Sequence, residues 1–99
     1  MKLWIDDLRP APAGCLWARS VAQAREMILA AEGVGQPFTL LDLDHDAGDF
    51  ACQGGDYIRL LDWLEETGRA YPIAMHTMNP VGRENMLAIV RKNGWKLVR

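Results

Sequence analysis

Cysteine is scarce, with Cys15 and Cys52 alone in the chain. Two thiols so far apart in sequence make no metal knuckle, and their expected state is reduced, in a cytoplasmic setting. Apolar runs are short as well, so no bilayer-spanning segment is expected and no membrane partner. No leader-like stretch precedes the first strand-like run, in keeping with the cytoplasmic expectation. An excess of charge of one sign is also missing: 11 basic residues stand against 13 acidic ones. That balance excludes nonspecific electrostatic binding to DNA. Repeats, linkers and low-complexity stretches are lacking too, and 99 residues suffice for one core but not for two lobes. A single domain over 1–99 is expected, with any site on one edge of it.

What is present is a regular alternation. Brief β-compatible segments fall at 2–5, 15–18, 38–43, 73–75 and 95–98. Between the later ones lie helical patterns with clear starts. Ser20 and Gln23 form a capping box ahead of an apolar face of Val21, Ala24, Ile28 and Ala31 that stops at Gly33. A second helix begins near Asp56, presents Tyr57, Ile58, Leu61 and Leu64, and ends at Gly68. Asn79 and Pro80 are an N-cap and first-turn pair for a third, packed through Met86, Leu87, Ile89 and Val90 and closed by Gly94.

The order β-β-α-β-α-β-α-β predicts an α/β fold with a five-stranded parallel sheet in the order 2-1-3-4-5. Right-handed crossovers then place all three helices on one face. Strand parity agrees: Leu3, Ile5, Leu41, Leu43, Ile73, Met75, Trp95 and Leu97 are uniformly apolar. The other parity, Lys2, Trp4, Leu40, Asp42, Ala74, Lys96 and Val98, is too mixed for a sealed core and too apolar for open water. A homodimer, or another partner, packed on a largely bare face is expected; a monomer with a partly solvated sheet is the alternative. Asp42 reads as a solvated residue of that face.

In open parallel sheets, ligands bind beyond the carboxyl ends of the strands. Here those ends carry Asp6 and Asp7, then Asp44, His45 and Asp46, then His76, Thr77 and Asn79. An acidic pair after one strand is commonly a loop cap, but three carboxylates at adjacent strand ends repel one another unless protons or a cation neutralise them. Mg²⁺ or Mn²⁺ held by Asp6, Asp7 and Asp44 is the economical answer. His45 and His76 suit a general base and a general acid facing a common substrate, although a lone histidine there would more often be a hydrogen-bonding fixture. A zinc site built on them lacks local ligand spacing. The helix start at Asn79 favours an anion, with Arg83 and Arg9 as charged forks for phosphate oxygens; Arg9 pairs more naturally with the aspartates. The stretch from Gly48 to Gly55 has the composition of a lid and equally of an ordinary surface loop.

The segments KLWIDDLRPAP, LDLDHDAGD and HTMNPVGRENM, in that order, resemble the receiver-derived family called cyclic-phosphate processing receiver domains. The resemblance implies a pruned, flavodoxin-like receiver without the first and last receiver helices. It also implies action on a cyclic phosphate, a 2′,3′-cyclic nucleotide or an RNA end. Carried over, Asp6 and Asp7 match the metal-binding acidic pair, Asp44 the phosphoacceptor position and Thr77 the hydroxyl position that contacts phosphate. His45, His76, Asn79 and Arg83 belong to the special pattern of this family. Ordinary receivers place a Lys-Pro pair after the last strand; this sequence has none, which argues against phosphorelay. Thr77-Met78 and Gly54-Gly55-Asp56-Tyr57 also depart from the usual pattern. The expected function is metal-assisted hydrolysis or binding of a cyclic phosphate, with Asp44, His45 and His76 catalytic. The alternative is a noncatalytic phosphoacceptor or nucleotide-sensing receiver, and a third reading is a dimerising scaffold with a vestigial site.

Overall fold

The computed structural model describes residues 1–98. Among them the chain runs β1 (Lys2–Ile5), β2 (Cys15–Ala18), α1 (Val21–Gly33), β3 (Leu40–Leu43), a short 3-10 turn (Gly48–Phe50), α2 (Ile58–Glu66), β4 (Ile73–Met75) and α3 (Pro80–Asn93). The sheet order is β2-β1-β3-β4 and every pairing is parallel.

The fifth strand is a correction. The 95–98 segment meets β4 at one place: Ile73 donates its N–H to the Lys96 carbonyl and accepts from Val98 N–H, each at 2.8 Å. β4 has only three residues, so its outer edge offers little ladder beyond Ile73. The sheet of the described residues is four-stranded.

Helix starts follow the capping chemistry. Ser20 Oγ accepts from Gln23 N–H at 3.0 Å, while Gln23 Oε1 reaches back to Arg19 N–H at 2.8 Å, one residue before the usual partner of a capping box. Asn79 Oδ1 accepts from Gly82 N–H at 2.9 Å ahead of Pro80. α2 starts two residues later than Asp56, because Asp56 turns its carboxylate onto Ala47 N–H at 2.9 Å and closes the preceding loop.

The helix-covered face packs as the parity requires in β1, β3 and β4, whereas Leu97, expected on the same face, is exposed. Leu3, Ile5, Leu41, Leu43 and Ile73 are fully buried against Ile28, Leu61, Leu64, Met86 and Val90. Each contributes about 2 kcal/mol of transfer free energy. Leu60 and Trp63 join the core from α2 beside the expected Leu61 and Leu64. Arg69 forks onto Glu32 with contacts of 3.0 and 3.1 Å and tethers the end of α1 to the chain after α2.

The opposite face bears no helix among the described residues, yet its centre is not bare. Register places Trp17, Trp4, Asp42 and Ala74 in one row across the sheet. Leu40, Asp42 and Ala74 are 6%, 3% and 0% exposed. His76 folds back over this row, stacked on Trp4 and bonded to Asp42. The expectation of a solvated Asp42 is therefore overturned.

Candidate functional site

The site begins with register. Ile5 of β1 lies beside Leu43 of β3, so the next residues, Asp6 and Asp44, emerge together; Asp44 N–H donates to the Ile5 carbonyl at 3.0 Å. Asp6, Asp7 and Asp44 each bring one carboxylate oxygen within 4.8 Å of the others.

Asp6 is 1% exposed and has four partners. Its Oδ1 accepts from the backbone N–H groups of Leu8 and Arg9 at 2.9 and 2.8 Å, which turns the chain out of β1. Its Oδ2 meets Arg9 Nε at 3.1 Å and His76 Nε2 at 2.8 Å. Burial alone would push this carboxyl up. The hydrogen bonds from Arg9, Leu8 and His76, with the Arg9 charge, outweigh it and hold Asp6 below the usual carboxylate range. Asp7 goes the other way: burial raises its carboxyl, and the charges of Asp6 and Asp44 raise it further. Two adjacent aspartates thus differ because the donors around Asp6 outweigh its burial, whereas at Asp7 burial, joined by the neighbouring carboxylates, prevails.

The guanidinium of Arg9 bridges the cluster, with Nη2 3.3 Å from Asp44 Oδ2. It is engaged with aspartates, the partners expected of it over phosphate. Arg19 is a second cation that the sequence reading passed over. It donates to the Asp7 carbonyl through Nε at 3.0 Å and Nη2 at 2.6 Å, and its guanidinium lies over the rings of Trp17 and Phe50.

The histidines flank the carboxylates from opposite faces of the sheet. His45 lies on the helix side, its Nδ1 2.8 Å from Asp46 Oδ1 and 3.5 Å from Asn79 Nδ2. Its ring rests on Gly82 at the start of α3, where a Cβ would collide with it. Asp44 Oδ1 accepts from His45 N–H at 2.7 Å, which fixes the turn that aims the ring. His76 lies on the helix-free side. Its Nδ1 is 2.8 Å from Asp42 Oδ1, its Nε2 2.8 Å from Asp6 Oδ2, and its ring is stacked on Trp4 at 3.7 Å. Trp4 in turn donates its indole N–H to the Arg9 carbonyl at 2.8 Å.

Around the rim, Thr77 Oγ1 accepts from Asn79 N–H at 3.1 Å, and Arg83 Nη1 donates to the Met75 carbonyl at 3.2 Å. Arg83, Thr77 and Asn79 therefore gather where β4 passes into α3, beside the His45 ring. Gly48, with φ 55°, passes so close to the Asp7 carboxylate that a Cβ there would displace it, at a backbone angle that favours glycine. Its loop is tied down: the Gln53 carbonyl accepts from Ala22 N–H at 3.0 Å, and Gly55 N–H donates to Ala51 at 2.8 Å. Behind it the buried Tyr57 hydroxyl donates to the Arg19 carbonyl at 2.7 Å. Burial first, then the charges of Asp7, Asp6 and Asp44, push this phenol far up, so it stays protonated.

All the expected site residues thus stand at one sheet edge. An all-oxygen set of three carboxylates suits hard cations such as Mg²⁺ or Mn²⁺. Trp4, Asp42 and Arg19 were not legible as site residues; the one signal for them was a polar residue inside β3 and two tryptophans at matching strand positions.

Neither the curated proteins nor the solved structures yield a match to this chain. The family model described as a cyclic-phosphate processing receiver domain matches residues 1–92. That span takes in all four strands, α1, α2, all of α3 but its last residue, and every carboxylate and histidine of the site, and the chain belongs to the cyclic-phosphate processing receiver domain family.

Proposed function

We propose that this domain opens the ring of a 2′,3′-cyclic phosphate, on a nucleotide or an RNA end, at the carboxyl edge of its sheet. One observation carries the reading: three carboxylates within 4.8 Å share an edge with a helix start, Arg83 and a histidine. Asp6, Asp7 and Asp44 would hold Mg²⁺ or Mn²⁺. The bound cation would neutralise phosphate charge and polarise a phosphoryl oxygen.

The chain's own groups divide the remaining work. The positive end of α3 and Arg83 bind the phosphoryl oxygens, with Thr77 and Asn79 fixing that corner. Arg9 stands at the rim of the same carboxylates. His45 has Nδ1 engaged by Asp46, which leaves Nε2 to take a proton from the attacking water. The new P–O bond forms as one ring ester bond breaks, and the departing ester oxygen takes its proton from solvent. His76 has both ring nitrogens on carboxylates, and a shuttle role for it gives way to a holding one.

That pinned His76 also supports a second reading, binding of the cyclic phosphate without turnover. One experiment separates the two. The full chain is incubated with Mg²⁺ or Mn²⁺ and a 2′,3′-cyclic mononucleotide, and the phosphorus signal is followed beside His45→Ala. Ring opening lost in the variant supports the hydrolase. Ligand shifts without product favour the sensor, and a silent spectrum removes both.

A further inference from the structure

The chain Asp42–His76–Asp6 crosses the sheet from β3 to β4 and back to β1. Its two links are each 2.8 Å. Asp42 and Asp6 are 3% and 1% exposed, and the imidazole between them is held flat on Trp4, with planes 2° apart. A ring so confined by one carboxylate and one indole has a single orientation. It fixes the position of the Asp6 oxygen on its far side. That oxygen, Oδ2, is also the one that Arg9 Nε approaches, so with Oδ1 held by the Leu8 and Arg9 N–H groups the direction of Oδ2 is set by a buried ring on one side and a half-exposed guanidinium on the other.

We infer that His76, anchored by Asp42 and clamped by Trp4, is a positioning residue that sets the divalent-cation affinity of the carboxylate cluster by orienting Asp6. The inference rests on the reading of Asp6, Asp7 and Asp44 as cation ligands. Asp42 then belongs to the site although it lies a full residue pair inside the strand. Outer partners of this kind tune metal sites because a ligand free to rotate must be ordered when the ion arrives, and losing one costs about 10- to 100-fold in affinity.

The test is Mn²⁺ binding to the purified full chain, read from the resonance of free Mn²⁺ and independent of any turnover. His76→Phe keeps a flat ring for Trp4 and removes both nitrogens; it is expected to weaken binding about tenfold or more. His76→Gln offers an amide nitrogen to Asp6 and is expected to restore most of the affinity, which general packing damage would not do. Asp42→Leu releases the anchor without touching a cation ligand and is expected to fall between the two. It also keeps the question open to measurement should His76→Phe fail to fold. Equal affinity in wild type, His76→Phe and Asp42→Leu overturns the inference, as does a Gln variant no better than Phe. A wild type that leaves all Mn²⁺ free sinks the cation reading itself, and the inference with it.

Discussion

The ring of His45 lies directly on Gly82, so closely that a methyl group at Gly82 would overlap its Cγ and Cδ2. Glycine here is a demand of packing and not of backbone angle, since Gly82 sits inside α3 with ordinary helical geometry. Gly82→Ala is therefore expected to push the imidazole off its seat. Stability should drop by about 1–3 kcal/mol in urea unfolding, and ring opening of a cyclic nucleotide should fall on the order of 100-fold. An alanine variant with unchanged His45 ring signals and full turnover would show that the seat is unimportant.

Asn79 caps the Gly82 N–H at 2.9 Å and packs its amide 3.5 Å from the His45 ring. Asn79→Ala should cost about 1 kcal/mol through the lost cap. Asn79→Ser keeps a capping oxygen and should retain most of that stability while losing the amide beside His45. Turnover falling in both variants, with stability falling in alanine alone, separates the two jobs. Equal unfolding midpoints for alanine and serine would contradict the capping role.

Asp7 is held above its ordinary range by burial and then by Asp6 and Asp44. Ionising it therefore costs the folded state at neutral pH. The cost is absent in acid below the ordinary aspartate range and grows as pH rises through that range to the raised folded value. In cation-free buffer Asp7→Asn is expected to unfold at higher urea than wild type at pH 7, and the gap should close on acidification. Added Mg²⁺ should reverse the order, since a cation at 100 times its dissociation constant stabilises wild type by about 2.7 kcal/mol and the variant far less. A variant weaker than wild type without cation would refute the repulsion.

Glu32 supplies the opposite sign. The Arg69 hydrogen bonds first, then the Tyr71 hydroxyl, outweigh burial and hold its carboxyl below the usual range. A depressed carboxyl stabilises the fold above its ordinary value, and that contribution is lost as pH falls through the folded value. Glu32→Gln should have the lower urea midpoint at pH 7 and match wild type in acid. A difference that persists unchanged below the carboxylate range would point to packing and not to charge.

Much of this site could be read from local sequence, and the part that could not has a common cause. Asp6, Asp7 and Asp44 follow apolar runs directly, so alternating elements and parallel pairing suffice to bring them together. Ser20 and Asn79 announce their helices through their own side chains. Asp42 was misread because its partner, His76, lies 34 residues away and reaches it only by folding back over the sheet beside Trp4. Strand parity gives the face of a side chain, not what crosses to meet it. The fifth strand was overstated for a related reason: Trp95 to Val98 has strand-like composition, but a ladder needs a partner edge, and β4 presents little more than Ile73.

The loop after β3 is stitched to the start of α1 through Gln53 and braced against Asp7 by Gly48. These contacts make it one wall of the carboxylate cluster. Under the proposed reading, a wall held in this way would leave the site open to bulk solvent. Chemistry in which water is itself the co-substrate gains from that openness. Handing a phosphoryl group to some other acceptor would suffer under it, since every intermediate would be quenched by hydrolysis before the acceptor arrived.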